Sequence, residues 1–468
     1  MKILVVNPPA ATPFIREGRC MQIRSSWAAL WMPLSLAYVA AVLRDDGHQI
    51  LLVDAIAEEL DREHTRSLAR DFAPDFIFLN TAFPTLESDR DFSAELKSAL
   101  PHAPIALLGM LPTLLDEQAL ALFASADYAI GGEPEWAAPE LVKTHSTGGS
   151  LAGVKGLVWR KGEGIAVNPP QDLAAHDLDE LPFPARDLLP IDAYRLPLLN
   201  QRFTLLSIGR GCPHSCIYCA APAYYGARFR KRLASRIADE IQECVERHGI
   251  RHFLFWGESF TGAPGYGESI CDEILRRNLR VVWSTTSRVD TLNPSLLAKM
   301  KQAGCKMLGL GIESSNQEIL DRAQKHIRVD QILDAIEMLR AAGVRSMGHF
   351  VFGLPGETRE TAAETIRFAL RSHLDFAQFY CAVPYPKTAL GKWAVERGGM
   401  QSQSFSSFDL TRSILHSEFL SPDEVKAFRD QAYRRFYFRP RMFARILGEI
   451  SSVPRLLDSM DFLRWIRK

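Results

Sequence analysis

Net charge is the first thing this chain lacks: 55 Lys and Arg are matched by 55 Asp and Glu over 468 residues. Without a surplus of either sign there is no general electrostatic footprint for nucleic acid or for a membrane surface. A long apolar run is missing too, none approaching the roughly 20 residues that span a bilayer. The start, Met1-Lys2 running straight into Ile3-Leu4-Val5-Val6, has neither the charged stretch nor the cleavage site of a secretory leader. Cysteine is scarce. Of Cys20, Cys212, Cys216, Cys219, Cys244, Cys271, Cys305 and Cys381 only the middle triplet is clustered, which reads as ordinary thiols around one cofactor site rather than a disulfide framework. The expected location is a reducing cytoplasm.

What is present is apolar content, 47% of the chain, enough for more than one core. Residues 1–145 alternate helical patterns with the apolar runs Ile3 to Val6, Ile50 to Val53, Phe76 to Leu79, Ile105 to Leu108 and Tyr128 to Ile130. Buried strands with crossover helices predict a Rossmann-like parallel sheet. Ligands of such sheets bind at the strands' carboxyl ends, which here carry Asn7-Pro8-Pro9, Asn80-Thr81, Gly109 and Gly131-Gly132-Glu133. A hairpin around Lys161-Gly162-Glu163 and a proline-rich linker are expected over 146–200. A second alternation follows within 201–385: Thr204 to Ile208, His252 to Trp256, Val281 to Thr285, Met307 to Gly311, Met347 to Phe352 and Phe376 to Cys381. Six strand–helix units predict an open or partial (β/α)6 barrel. The last stretch, 386–468, reads as helical and aromatic, with eleven Lys and Arg against six Asp and Glu after residue 420. It is expected either to cover the barrel with its aromatics while its arginines stay solvated, or to meet an anionic or lipid-like substrate or a membrane surface.

The loop Gly211-Cys212-Pro213-His214-Ser215-Cys216-Ile217-Tyr218-Cys219 follows the first barrel strand, where barrels place their functional loops. Three thiols in one tight loop can turn to one metal centre, one ligand short of the four that usually close an iron–sulfur cluster. Two other readings exist: a Cys3His zinc knot with His214, and a redox pair of Cys216 and Cys219.

With Gly209-Arg210-Gly211 before it and Tyr218 within it, this loop resembles that of radical S-adenosylmethionine enzymes. The resemblance continues in order through Phe255-Trp256-Gly257-Glu258-Ser259-Phe260-Thr261, Ser284-Thr285-Thr286-Ser287-Arg288, Gly309-Leu310-Gly311-Ile312-Glu313-Ser314 and Gly353-Leu354-Pro355-Gly356-Glu357-Thr358. It implies that Cys212, Cys216 and Cys219 hold a 4Fe-4S cluster and that S-adenosylmethionine chelates the fourth iron. Tyr218, Glu258, Arg288, Gly311, Glu313 and Gly353 are then the cosubstrate-binding residues, with Glu258 at its amine and Arg288 at its carboxylate. Reductive cleavage gives a 5'-deoxyadenosyl radical, fed by an external low-potential electron donor.

The amino-terminal part resembles the cobalamin-binding domain that precedes the barrel in a large subgroup, on Asn7-Pro8-Pro9, Pro33-Leu34-Ser35-Leu36-Ala37, Gly47-His48 and Gly132-Glu133-Pro134-Glu135. Cobalamin would then be held by Pro8, Pro9, Asn80, Thr81, Gly109, Gly132 and Glu133. No DxHxxG motif follows Val6, and His48 reads as a helix-terminus residue, so no protein histidine is expected on cobalt. A smaller departure is Lys387, where similar proteins often have glycine.

The resemblance implies a cobalamin-dependent radical methyltransferase acting on an unactivated carbon of a small, apolar or amphiphilic molecule. The alternatives are a radical cyclisation or rearrangement with the same cofactors, and a non-catalytic metal-centre sensor or scaffold.

Overall fold

The computed structural model describes residues 1–12, 14–18, 20–23, 29–196, 199–401, 404–440 and 442. They form two compact units, one holding Leu30–Tyr194 with the strands before it and Ala223–Gly226, the other Arg195–Pro222 and the chain from Ala227 on.

In the first unit the strands are β1 (Lys2–Asn7), β2 (Phe14–Glu17), β3 (Cys20–Ile23), β4 (Gln49–Asp54), β5 (Phe76–Thr81), β6 (Ile105–Gly109), β7 (Tyr128–Ile130), β8 (Leu157–Lys161) and β9 (Gly164–Val167). Seven of them make one sheet in the order β4-β1-β5-β6-β7-β8-β9. The pairs up to β6–β7 are parallel, and the β8–β9 hairpin extends the sheet antiparallel. Every residue of β5 is buried, as expected of a strand covered on both faces. The separate antiparallel hairpin of β2 and β3 gave no sequence signal, because Phe14-Ile15-Arg16-Glu17 neither alternates cleanly nor ends in a turn dipeptide.

His48 falls between helix Leu34–Asp45 and β4, where its N–H donates to Leu43 O beside Gly47 at φ 84°. This is a helix-closing geometry at the amino ends of the strands.

The second unit contains β10 (Phe203–Ser207), β11 (Gly209–Arg210), β12 (Arg230–Lys231), β13 (His252–Trp256), β14 (Val282–Ser287), β15 (Cys305–Glu313), β16 (Arg345–Phe352) and β17 (Phe376–Cys381). Six of them form a wholly parallel sheet in the sequential order β10-β13-β14-β15-β16-β17. Helix Ala234–His248 shows why the pattern folds this way: Ile237, Ile241 and Cys244 fall on one stripe and are buried.

Helix Pro422–Tyr437 lies along β17. Three of its residues, spaced four apart, bond the strand's backbone: Tyr437 Oη donates to Ala377 O (2.7 Å) and accepts from Ala377 N–H (3.2 Å), Tyr433 Oη accepts from Phe379 N–H (3.2 Å), and Arg429 Nε donates to Phe379 O (3.1 Å). Tyr433, Phe436 and Tyr437 thus face the sheet, while Arg434, Arg435 and Phe438 are exposed. The other arginines after residue 420, except Arg439, lie outside the described residues.

Candidate active site

The cysteine loop leaves β10 and is seated by its own apolar residues. Ile217 and Tyr218, between Cys216 and Cys219, pack against a buried cluster that includes Ala323, Leu354 and Leu390. The backbone fastens it twice, Ile217 N–H to Ala323 O (3.1 Å) and Leu390 N–H to Ile217 O (2.9 Å). Cys212, Cys216 and Cys219 form no disulfide and are half-buried, whereas Cys244, Cys271, Cys305 and Cys381 are buried. Burial pushes Cys271 up to about 12 and keeps it a thiol. Among the described residues no three His, Cys, Asp or Glu side chains, His214 and the loop cysteines included, close on a single ion. A four-iron cluster asks something different, one thiolate per iron spread around its faces. Three accessible thiols on one loop, with the cations of Arg288 and Lys325 in electrostatic reach of Cys216, fit that group.

Beside the loop lies a buried ion pair: Lys325 Nζ donates to Glu313 Oε1 at 2.7 Å and lies 3.5 Å from Tyr218 Oη. Burial, then Glu313 and the thiolates of Cys216 and Cys219, raise the Tyr218 phenol well above its usual range. For Lys325 burial works against the charge, but Glu313 and Cys216 outweigh it and the pKa is raised. Gly311 makes room for the pair, since a Cβ there would stand 2.6 Å from Lys325 Nζ and 2.9 Å from Glu313 Oε1. Glu313 has φ 65° and sits where the β15–β16 register shifts, a bulge that re-aims a side chain.

Arg288, at the exit of β14, is held in a two-pronged bond by Asp290 (2.9 and 2.8 Å) and donates to Lys325 O at 3.0 Å. Burial opposes its charge, and Asp290 restores and raises it. Glu258 is half-buried after β13, where a Cβ on Gly257 would meet Ile208 at 2.8 Å. Gly353, at φ 86°, turns the chain out of β16 and donates its N–H to Glu357. The structure therefore brings Tyr218, Arg288, Gly311 and Glu313 together through Lys325, which carries no motif and was missed.

On the first unit, the strand ends meet through another residue the sequence reading passed over. Arg16 donates to Asn7 Oδ1 (3.1 Å), Pro8 O (2.8 Å) and Asp89 Oδ1 (2.7 Å), while Asn80 Nδ2 donates to Arg16 O (3.4 Å). Asn7 in turn donates to Asp54 (2.8 Å), which also accepts from Tyr194 Oη (2.7 Å). Thr81 Oγ1 donates to Leu108 O (2.8 Å), and a Cβ on Gly109 would press on Thr81 O at 2.6 Å. Gly132, at φ 88°, donates to Thr113 Oγ1 (3.1 Å), and Glu133 after it is buried. Pro9 is buried beside Pro8. Cobalamin, a large and mostly apolar ring, fits an edge whose side chains are small or spent on internal bonds.

A three-thiol loop at the carboxyl end of a parallel six-stranded sheet, following a Rossmann-like unit in the chain, defines a two-domain α/β iron–sulfur enzyme. The radical SAM superfamily profile matches residues 206–369 and the B12 binding domain profile residues 23–142. The chain belongs to the radical S-adenosylmethionine enzymes that carry a B12-binding domain. It is 28% identical to the uncharacterized methyltransferase PH0819 of Pyrococcus horikoshii, over 96% of this chain and 95% of the relative. It is 26% identical to the anaerobic magnesium-protoporphyrin IX monomethyl ester cyclase of Rubrivivax gelatinosus, over 88% of this chain and 74% of the relative. Its fold is similar to that of the radical S-adenosylmethionine methyltransferase TsrM from Kitasatospora setae, a structure with cobalamin and a [4Fe-4S] cluster bound, at TM-score 0.69 and 18% identity over 86% of this chain and 76% of the other.

Proposed function

We propose that this enzyme is a cobalamin-dependent radical methyltransferase acting on an unactivated carbon of a small molecule. The observation that carries the reading is the joint presence, in one chain, of the half-buried three-thiol loop and a B12-binding domain ahead of it. Bound, the cluster with S-adenosylmethionine supplies a carbon-centred radical, and cobalamin supplies a methyl group. On this reading Cys212, Cys216 and Cys219 hold the cluster. Arg288, Glu313 and Tyr218 fix the cosubstrate, Glu258 and the backbone of Gly311 and Gly353 border it, and the buried walls exclude water. Electrons come from an external low-potential donor, and the described cysteines, none of them in a disulfide, suit a reducing cytoplasm. Among the described residues no helix is long and apolar enough to cross a membrane.

Anaerobically purified protein is the test. It should carry cobalt and iron, and under reduction should convert S-adenosylmethionine both to 5'-deoxyadenosine and to S-adenosylhomocysteine, with Cys212→Ala losing the first product. Protein without cobalt that forms no S-adenosylhomocysteine would remove the methyltransferase reading. The similarity to the cyclase supports a second reading, oxidative cyclisation with the same cofactors. Product mass separates the two, because methylation adds a methylene equivalent and cyclisation removes hydrogens.

A further inference from the structure

The loop Gln324–His326 joins helices Gln317–Arg322 and Val329–Ala342. Gln324 and His326 both take left-handed backbone, φ 52° and 53°, which L-residues adopt only against a steric cost. Between them Lys325 touches three elements at once. Its ammonium meets Glu313 at the end of β15 and approaches Tyr218 of the cysteine loop, and its carbonyl accepts from Arg288 at the exit of β14. Glu313 is left-handed as well, at the register shift, and Gly311 clears the space between them. Stability alone is a poor reason for such an arrangement, since a buried ion pair is often matched by an apolar pair of similar volume. Strained backbone collects where a function over-determines it.

We propose that Lys325 is the positioning residue of the cosubstrate site, holding Glu313 and Arg288 in the places from which they meet S-adenosylmethionine; the proposal rests on the radical reading above. Lys325 and Glu313 then act as one unit, and removing either removes the same contribution to binding.

The experiment is equilibrium binding of S-adenosylmethionine to anaerobically reconstituted full-length protein, with iron content and the cluster's visible absorbance as the loading control. Lys325→Met should load iron as wild type does, bind S-adenosylmethionine about tenfold or more weakly, and show a smaller change in the reduced cluster's EPR spectrum when S-adenosylmethionine is added. Glu313→Gln should weaken binding similarly, and the double variant E313Q/K325M no further than E313Q alone. The double variant buries no unpaired charge, so it reports even where K325M does not fold. Wild-type affinity in K325M, or single losses that multiply in the double variant, would overturn the proposal alone. A wild-type protein that loads its cluster yet binds no S-adenosylmethionine would overturn the radical reading and the proposal with it.

Discussion

Glu357 gives up its charge to hold a turn. Its carboxyl is fully buried, accepts from Gly353 N–H, and keeps Oε1 without a hydrogen-bond partner among the described residues. Burial, only partly offset by the Gly353 bond, pushes its pKa up to about 8. In the unfolded chain the same group titrates near about 4.3. Between those values the native state binds more protons than the unfolded one, so stability is full below about 4.3 and is lost as pH rises towards about 8. E357Q should flatten that slope, which thermal unfolding across the same pH window would show; an unchanged slope would mean that Glu357 is ionised in the fold. Strain is visible at the same scale. Lys387 sits at φ 62°, a left-handed position that a residue with a Cβ holds at a cost of about 1–2 kcal/mol.

At the scale of elements, β17 and helix Pro422–Tyr437 form one unit. The helix satisfies both backbone groups of Ala377 and of Phe379. Tyr437→Phe leaves the Ala377 N–H and C=O buried without that partner, and unfolding by denaturant should show a loss of about 1–3 kcal/mol. Hydrogen exchange at Ala377 should quicken selectively, and unchanged protection there would contradict the assignment. The aromatic run around Tyr433 announced a packed helix in the sequence. Its bonds to a strand edge were not legible, because the partners lie 54 and 60 residues away.

Across the whole molecule, what could be read from sequence was what is local. Ile3 to Val6, Phe76 to Leu79 and the barrel strands declare themselves as short apolar runs, and the cysteine loop by its spacing. Arg16 and Lys325 do not, since each is a single cation whose partners, Asp89 and Tyr218, lie 73 and 107 residues away. Both tie strand ends together, one in each unit. Arg16 and Asp89 have side chains only 1% and 0% exposed, so Arg16→Met leaves a buried carboxylate without its cation. Unfolding should show a loss of about 3–5 kcal/mol, accompanied by lower cobalt content. Arg16→Met with Asp89→Asn should recover part of the stability; equal losses in both variants would show that the ion pair is not the cause.

A sheet that stops short of closing its circle leaves its last strand as a template on which another chain can grow. Here two phenols and a guanidinium occupy that template with side chains, as a seventh strand would with backbone. Copies of the protein can therefore crowd against this flank without zipping together.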